Sequence, residues 1–120
     1  MNTKLALLTL TVALLSACAS TPKPSAAVNR AEASVDQADQ AGARRYDPGT
    51  LDTSKQKLGE AKDAAEKGNP VAADKLAEQA QLDADLAAAT ARAANARKAA
   101  DEVNASTATL RAEIARQNAR

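Results

Sequence analysis

Few side chains in this sequence could act as catalytic groups or metal ligands. The chain has one cysteine, Cys18, and no histidine among its 120 residues. A zinc, haem or iron–sulfur site built from those ligands is therefore excluded, and no disulfide can form within one copy. The serines and threonines lack a histidine partner, and no glycine-rich phosphate loop is present. We therefore expect no catalytic residue, no metal site and no cofactor, and we predict that the protein is not an enzyme.

Two groups of charged residues resemble sites at first sight. Asp83 and Asp85 lie near two further acidic residues, but on a helix they are two positions apart and point to different sides. We interpret this group as solvated charges rather than as a metal or acid–base cluster; its members are Asp74, Glu78, Asp83 and Asp85. The basic group, which could suggest phosphate or peptidoglycan binding, is followed one turn later by acids, so we expect (i, i+4) ion pairs. Its basic members are Arg92, Arg97 and Lys98, and the acids are Asp101 and Glu102.

The overall charge and the one aromatic residue indicate which kinds of binding partner the protein can have. Sixteen basic residues against fifteen acidic ones give a net charge of +1, which argues against nucleic-acid binding because that requires a basic face. Tyr46 is the only aromatic residue and lies two residues before Pro48. We expect its ring to pack over a bend between helices, and the alternative is an anchor for a protein partner.

The N-terminus has the pattern of an export signal. Lys4 supplies a positive charge, and an apolar run follows from position 5 to position 15. This run is too short to cross a hydrocarbon core, which needs about 20 residues. It fits the apolar region of a secretory signal followed by small residues. We predict that residues 1–17 are a signal peptide and do not belong to the fold.

The residues around the cysteine resemble a bacterial lipobox, whose members here are Leu15, Ser16, Ala17 and Cys18. The resemblance implies that the Cys18 thiol receives a diacylglycerol, that the chain is cleaved between Ala17 and Cys18, and that the new amine is acylated, for example with palmitate. Several acyl chains on one residue would anchor the protein stably. The alternative is an ordinary signal peptide followed by a free thiol. Ala19 stands where inner-membrane lipoproteins of Gram-negative bacteria carry Asp, so the analogy favours the outer membrane, facing the periplasm.

The mature chain is predicted to be all-α. Pro22 and Pro24 make residues 18–25 an extended tether. Alanine, the best helix former, makes up 33 of the 120 residues, and the domain 26–118 should therefore be helical. Pro48 and Pro70, each after a capping residue, begin new helices. We predict three segments, at about 25–44, 48–67 and 70–118, in an antiparallel helical hairpin or coiled coil.

Apolar residues at alternating spacings of three and four suggest how these segments pack. The predicted contact residues are Val28, Ala31, Val35, Ala38 and Gly42 in the first segment, and Leu51, Leu58, Ala61 and Ala65 in the second. In the third segment they are Leu82, Leu86, Ala89, Ala93, Ala96, Ala100, Val103, Thr107, Leu110 and Ile114, here called the leucine stripe. If the first two segments run in line back along the third, Leu51 faces Leu86 and Val35 faces Val103. Both open ends would then lie near the anchor, with the Gly68 turn about 65 Å away. The alternative is a compact three-helix bundle that leaves the end of the leucine stripe overhanging.

The middle of the chain resembles a family of bacterial lipoproteins and envelope proteins, the domain of unknown function 4398. The similarity covers about 28–100 and is carried by the order of short motifs. These are Ala41-Gly42-Ala43, Tyr46-Asp47-Pro48-Gly49-Thr50-Leu51, Lys57-Leu58, Gly68-Asn69, Leu76-Ala77-Glu78-Gln79-Ala80 and Asp83-Ala84-Asp85-Leu86-Ala87. The resemblance implies a helical domain and supplies no reaction or binding residue.

We therefore expect a non-enzymatic, lipid-anchored protein of the outer membrane whose helices act as a periplasmic spacer or interaction module. Its expected partners are the membrane, through Cys18, and an envelope protein or peptidoglycan, with self-association possible through the 86–114 part of the leucine stripe. Two alternatives stay open: a peptidoglycan-associated structural lipoprotein, and an accessory or activator subunit of an envelope enzyme or transporter.

Overall fold

The structure is a computed structural model that describes residues 25–120. Within that range the chain forms no strand and four helices: α1 (Ala26–Gln40), α2 (Ala43–Tyr46), α3 (Pro48–Glu66) and α4 (Pro70–Asn118). The predicted all-α class is confirmed, and its three helical segments agree closely with those expected. The predicted signal peptide, the lipobox and all of the tether except its last residue lie outside the described residues.

Side-chain caps and glycines set the helix boundaries. Ser25, Asp47 and Asn69 each accept a hydrogen bond from the backbone amide three residues further on, at 3.2, 3.3 and 3.2 Å. Such caps satisfy amides that a helix start leaves without partners. Gly42 and Gly68 adopt φ of +90° and +73°, the left-handed region that ends the helix before them. The first predicted segment is therefore interrupted at Gly42 and is not a continuous helix to residue 44.

The long helices α1 and α3 and the first half of α4 form a three-helix bundle. Lys55 of α3 binds Asp39 of α1 at 2.7 Å, and Lys62 binds Glu32 at 2.8 Å. Residue numbers therefore fall along α1 as they rise along α3, which makes the two helices antiparallel. Because α3 and α4 also reverse direction at residues 67–69, α1 runs parallel to α4. The start of α1 thus lies toward the end of the bundle that carries the α3–α4 turn.

A row of alanines on α4, here called the alanine face, packs into the bundle. All six are 0% exposed and are spaced four, three, four, three and four: Ala73, Ala77, Ala80, Ala84, Ala87 and Ala91. Bulkier side chains of α1 and α3 complete the core, namely Val28, Val35, Leu51 and Leu58. An alanine ends at its Cβ, so neighbouring helices can approach closely and place their valines and leucines against it.

The predicted contact face of α4 is wrong. Leu82 and Leu86 are 69% and 58% exposed, and the leucine stripe runs along the side of α4 opposite the alanine face. Two residues along a helix correspond to a rotation of about 200°, so the stripe that contains Leu82 cannot face inward together with Ala80. The predicted contact residues of the first two segments are confirmed as buried, except for Gly42 and Ala65, which are half-buried.

The predicted pairing of residues across the hairpin is wrong for the same reason. Leu51 and Val35 are buried, but their predicted partners, Leu86 and Val103, are exposed. Folding α1 back beside α3 buries α1 against two helices, whereas a linear arrangement would bury it against one. The start of α1 consequently lies toward the Gly68 turn, not at the far end of a hairpin from it.

The second half of α4 extends beyond the bundle. From residue 95 to residue 118 every residue is exposed except Thr107, which is half-buried. The whole helix has 49 residues and is therefore about 73 Å long. We call residues 96–118 the free arm. None of the helices in the described range 25–120 has the combination of length and apolar character needed to cross a membrane.

Candidate interaction surface

The leucine stripe is the most distinctive exposed surface of the described residues. Val103 and Leu110 are each 64% exposed and Ile114 is 58% exposed, all on the free arm. The same stripe continues onto the bundled half of α4 through Leu82 and Leu86. Isolated exposed apolar residues need no explanation, but an apolar row in one register along a helix is typical of a surface that binds another helix.

The two faces of α4 differ in the size of their side chains. The alanine face holds only small residues and is covered by α1 and α3, whereas the leucine stripe places large residues at both ends and small ones between them. Along the free arm the register of the alanine face continues into charged residues, including Lys98. The leucine stripe is thus the apolar face that continues past the bundle.

The predicted acidic group does not form a site. The side chain of Asp83 forms an ion pair of 2.6 Å with Lys57 of α3. Asp83 therefore links two helices, whereas the sequence predicts a solvated carboxylate. No group of three or more acidic, cysteine or histidine side chains within residues 25–120 is arranged to hold a metal ion. The spacing of two residues between Asp83 and Asp85 places them on different sides of the helix, as predicted. The ion pair of Asp83 could not be predicted in this way, because it depends on a contact between two helices.

The predicted basic group is only partly paired. Lys98 lies 3.8 Å from Glu102, as the (i, i+4) spacing predicted, and both side chains are well exposed. In the described part of the chain Arg92 and Arg97 make no ion pair with a carboxylate. A pair between solvent-exposed charges contributes about 0–1 kcal/mol, so this group has little effect on stability. Arg92 is therefore available to an acidic partner.

A small charged cluster at the end of α1 was not predicted. Asp39 accepts hydrogen bonds from Lys55 at 2.7 Å and from Arg44 at 2.9 Å. These bonds, that from Lys55 first, hold the pKa of Asp39 below its ordinary value of 3.8. The cluster ties α1 to α2 and α3 at the bend. Sequence alone gave no signal for it because Asp39 and Lys55 become neighbours only when α1 folds back.

Tyr46 takes the structural role that was predicted first. Its side chain is partly buried and packs against the core at the bend before α3. The guanidinium of Arg45 lies 5.6 Å from the centre of its ring, within the range of a cation–π contact. The Cβ that an alanine would add at Gly42 would lie 3.9 Å from the same ring. These contacts favour packing over the bend rather than an anchor for a partner.

A shallow groove of about 460 Å³ lies where α1 ends against α4. It is lined by Gln37, Gln40, Ala41, Arg92 and Asn95. The amide nitrogen of Asn95 donates a hydrogen bond of 3.2 Å to the carbonyl oxygen of Ala41, which closes the end of the bundle. The groove is open, and it marks the boundary between the bundle and the free arm.

These features define an alanine-rich helical-bundle protein with a projecting helical arm. The chain belongs to the family of the domain of unknown function (DUF4398), whose model matches residues 26–103. The match covers the whole bundle and the first part of the free arm. No curated protein and no solved structure matches the chain. The predicted lipobox, Leu15, Ser16, Ala17 and Cys18, lies outside the described residues.

Proposed function

We propose that this protein is a non-enzymatic lipoprotein, anchored through Cys18 to the outer membrane and facing the periplasm, whose helices serve as a spacer or interaction module. The observation that carries the interaction role is the exposed leucine stripe on the free arm. The sequence Leu15-Ser16-Ala17-Cys18 supports the anchor. Family membership adds no activity, since the family is itself described as one of unknown function.

The geometry of the bundle is compatible with an arm that reaches away from its anchor. The start of α1 lies toward the α3–α4 turn, and the seven residues from Cys18 to Ser25 span at most about 25 Å. The free arm extends about 33 Å beyond the bundle, which is further than this tether can reach. This supports a leucine stripe that stays clear of the anchor along the helix axis.

The anchor is tested by the mature N-terminus of the complete chain. We expect mass spectrometry to find an acylated Cys18 as the first residue, and Cys18→Ser to abolish both acylation and cleavage. An unmodified amine on another residue would contradict the proposal. A pair of variants at residue 19 tests localisation in the outer rather than the inner membrane. Ala19→Asp should shift the protein to the inner membrane in a Gram-negative host, whereas the control Ala19→Ser should leave it in the outer membrane.

Two further experiments separate the spacer role from its alternatives. Sacculi boiled in detergent should release the protein completely, and retention would favour a peptidoglycan-attached lipoprotein. Crosslinking in cells should recover no envelope enzyme or transporter in near-equal amount. Recovery of one would favour the accessory-subunit role, and a set of crosslinked products that disappears with Leu110→Glu would support the leucine stripe as the contact surface.

A further inference from the structure

We propose that the leucine stripe binds the leucine stripe of a second copy in antiparallel orientation, in the register where the numbers of facing residues add up to 203. The two stripes then face one another from Ala89 to Ile114, and Leu86 faces Gln117 just beyond them. The inference rests on the proposed role of this stripe in binding, and it does not depend on the lipid anchor.

The first argument is the match of large and small side chains. Between residues 89 and 114 every large residue of one copy meets an alanine of the other: Ile114 meets Ala89, Leu110 meets Ala93, and Val103 meets Ala100. Thr107 meets Ala96 in the same way. Alternation of large and small residues across an interface keeps two helices at a uniform, close separation and lets their layers interlock. The same pairing of bulky residues with alanines already holds the bundle together.

A parallel pair lacks this match. Each residue of the stripe would then meet its own counterpart, so Leu110 would face Leu110 and Ala96 would face Ala96. Four consecutive alanine layers would be followed by layers of valine, threonine, leucine and isoleucine. Helices in contact at the large layers would leave empty space at the small ones, and a void of this kind costs stability.

The charges beside the stripe select the same register. In the proposed antiparallel register, Arg92 of one copy lies beside Glu113 of the other. Because the two copies are related by two-fold symmetry, this ion pair occurs twice. A parallel pair would place Arg92 beside Arg97, again twice. Sliding the antiparallel pair by one heptad would place Asp85 beside Glu113 in one direction, or Arg97 beside Arg111 in the other. Like charges in these positions oppose pairing.

The two charged residues are available for this contact. Arg92 makes no ion pair within residues 25–120, and the bond of Glu113 to Arg116 joins side chains that are 54% and 75% exposed. The interface also leaves the bundle intact, because α1 and α3 occupy the alanine face and the second copy would occupy the opposite side. The anchor ends of the two copies would lie at opposite ends of the joined helices.

Disulfide trapping in the complete chain tests the register. Copies with Ala93→Cys and copies with Leu110→Cys carry different tags and are produced together, then oxidised; a disulfide requires Cα atoms within about 7 Å. We expect a mixed disulfide here and in the matched combination of Ala100→Cys with Val103→Cys, and no dimer from Leu110→Cys alone, because the two residues 110 would then lie about 25 Å apart along the axis. A dimer from Leu110→Cys alone indicates a parallel pair and overturns the proposal, as does the absence of a mixed disulfide in both combinations.

Charge exchange provides a second test that needs no new cysteine. Arg92→Glu should weaken self-association of the complete chain roughly tenfold, because two attractive pairs become repulsive ones. Arg92→Glu combined with Glu113→Arg should restore it, whereas Arg97→Glu should have no comparable effect. Failure of the double variant to recover contradicts the register. A disulfide between the Cys18 residues of two parent chains, absent from Cys18→Ser, would show that the Cys18 thiol is not lipidated. That result contradicts the anchor and leaves the antiparallel pair untouched, so failure of one proposal can be told from failure of the other.

Discussion

The hydroxyl of Ser54 in α3 donates a hydrogen bond of 2.7 Å to the backbone carbonyl oxygen of Ala80 in α4, and both residues are 0% exposed. Two small residues therefore meet at the point where the helices cross. The hydroxyl finds an acceptor there, so the polar group is buried without losing its hydrogen bond. The close approach of α3 and α4 depends on the size of these two side chains.

Enlarging Ser54 should destabilise the bundle strongly. Ser54→Leu inserts a bulky side chain at the crossing, and overpacking of this kind typically costs about 1–3 kcal/mol. Ser54→Ala is the matched control and should cost only about 0.5–1.5 kcal/mol, the contribution of one hydrogen bond. Urea unfolding followed by circular dichroism, on a soluble form that begins at Ala19, measures both. Equal stability of the two variants would contradict a tight crossing.

The helices themselves could be predicted because their boundaries are local. Capping residues followed by proline at 47–48 and 69–70, together with the glycine at 68, place the ends of α3 and the start of α4 within a residue or two. The apolar stripes of α1 and α3 were also recognisable, since each of these helices has one clear buried face. Propensity and capping act within one turn and need no knowledge of the fold.

The contact face of α4 could not be predicted, because this helix carries two stripes with heptad spacing. The stripe that contains Leu86 is the more hydrophobic of the two, so hydrophobicity alone predicts that it is buried. The bundle instead selects the alanine face, where Ala84 and Ala87 allow close packing against two helices at once. That choice depends on the combined shape of three helices, and periodicity in a single helix does not contain it.

Replacement by alanine should destabilise the protein at the two glycines with positive φ and stabilise it at a third glycine within a helix. Gly68→Ala places a side chain in the left-handed region at φ of +73° and should cost about 1 kcal/mol. Gly59→Ala is the matched control, because Gly59 lies within α3 and an added Cβ would contact nothing within 4 Å. That variant should gain about 0.5–1 kcal/mol from helix propensity. Thermal unfolding compares them, and stabilisation by Gly68→Ala would contradict the observed turn.

The ion pairs of Asp39 should make the stability of the folded protein depend on pH. Lys55 and then Arg44 lower the pKa of Asp39 in the folded protein, so their contribution is present above the unfolded-state pKa and is lost as the pH falls through the folded-state pKa. Asp39→Asn should therefore lower Tm at pH 7 by about 2–4 °C, and the difference from the parent should vanish in acid. Asp36→Asn, on the exposed side of α1, is the control. A difference that persists unchanged in acid would contradict the ion pairs.

The central claim is that α4 buries its alanine face and exposes its leucine stripe, and thiol labelling tests it most directly. In the soluble form, which lacks Cys18, Leu82→Cys and Leu51→Cys each carry a single thiol; Leu82 is 69% exposed and Leu51 is 1% exposed. In the proposed pair, α4 of the second copy ends at Asn118, which faces residue 85, so self-association does not cover Leu82. We predict that the thiol at 82 reacts nearly as fast as in urea and that the thiol at 51 reacts at least about 100-fold more slowly. Equal protection of both thiols would show that Leu82 is buried with Leu51 and would contradict the account.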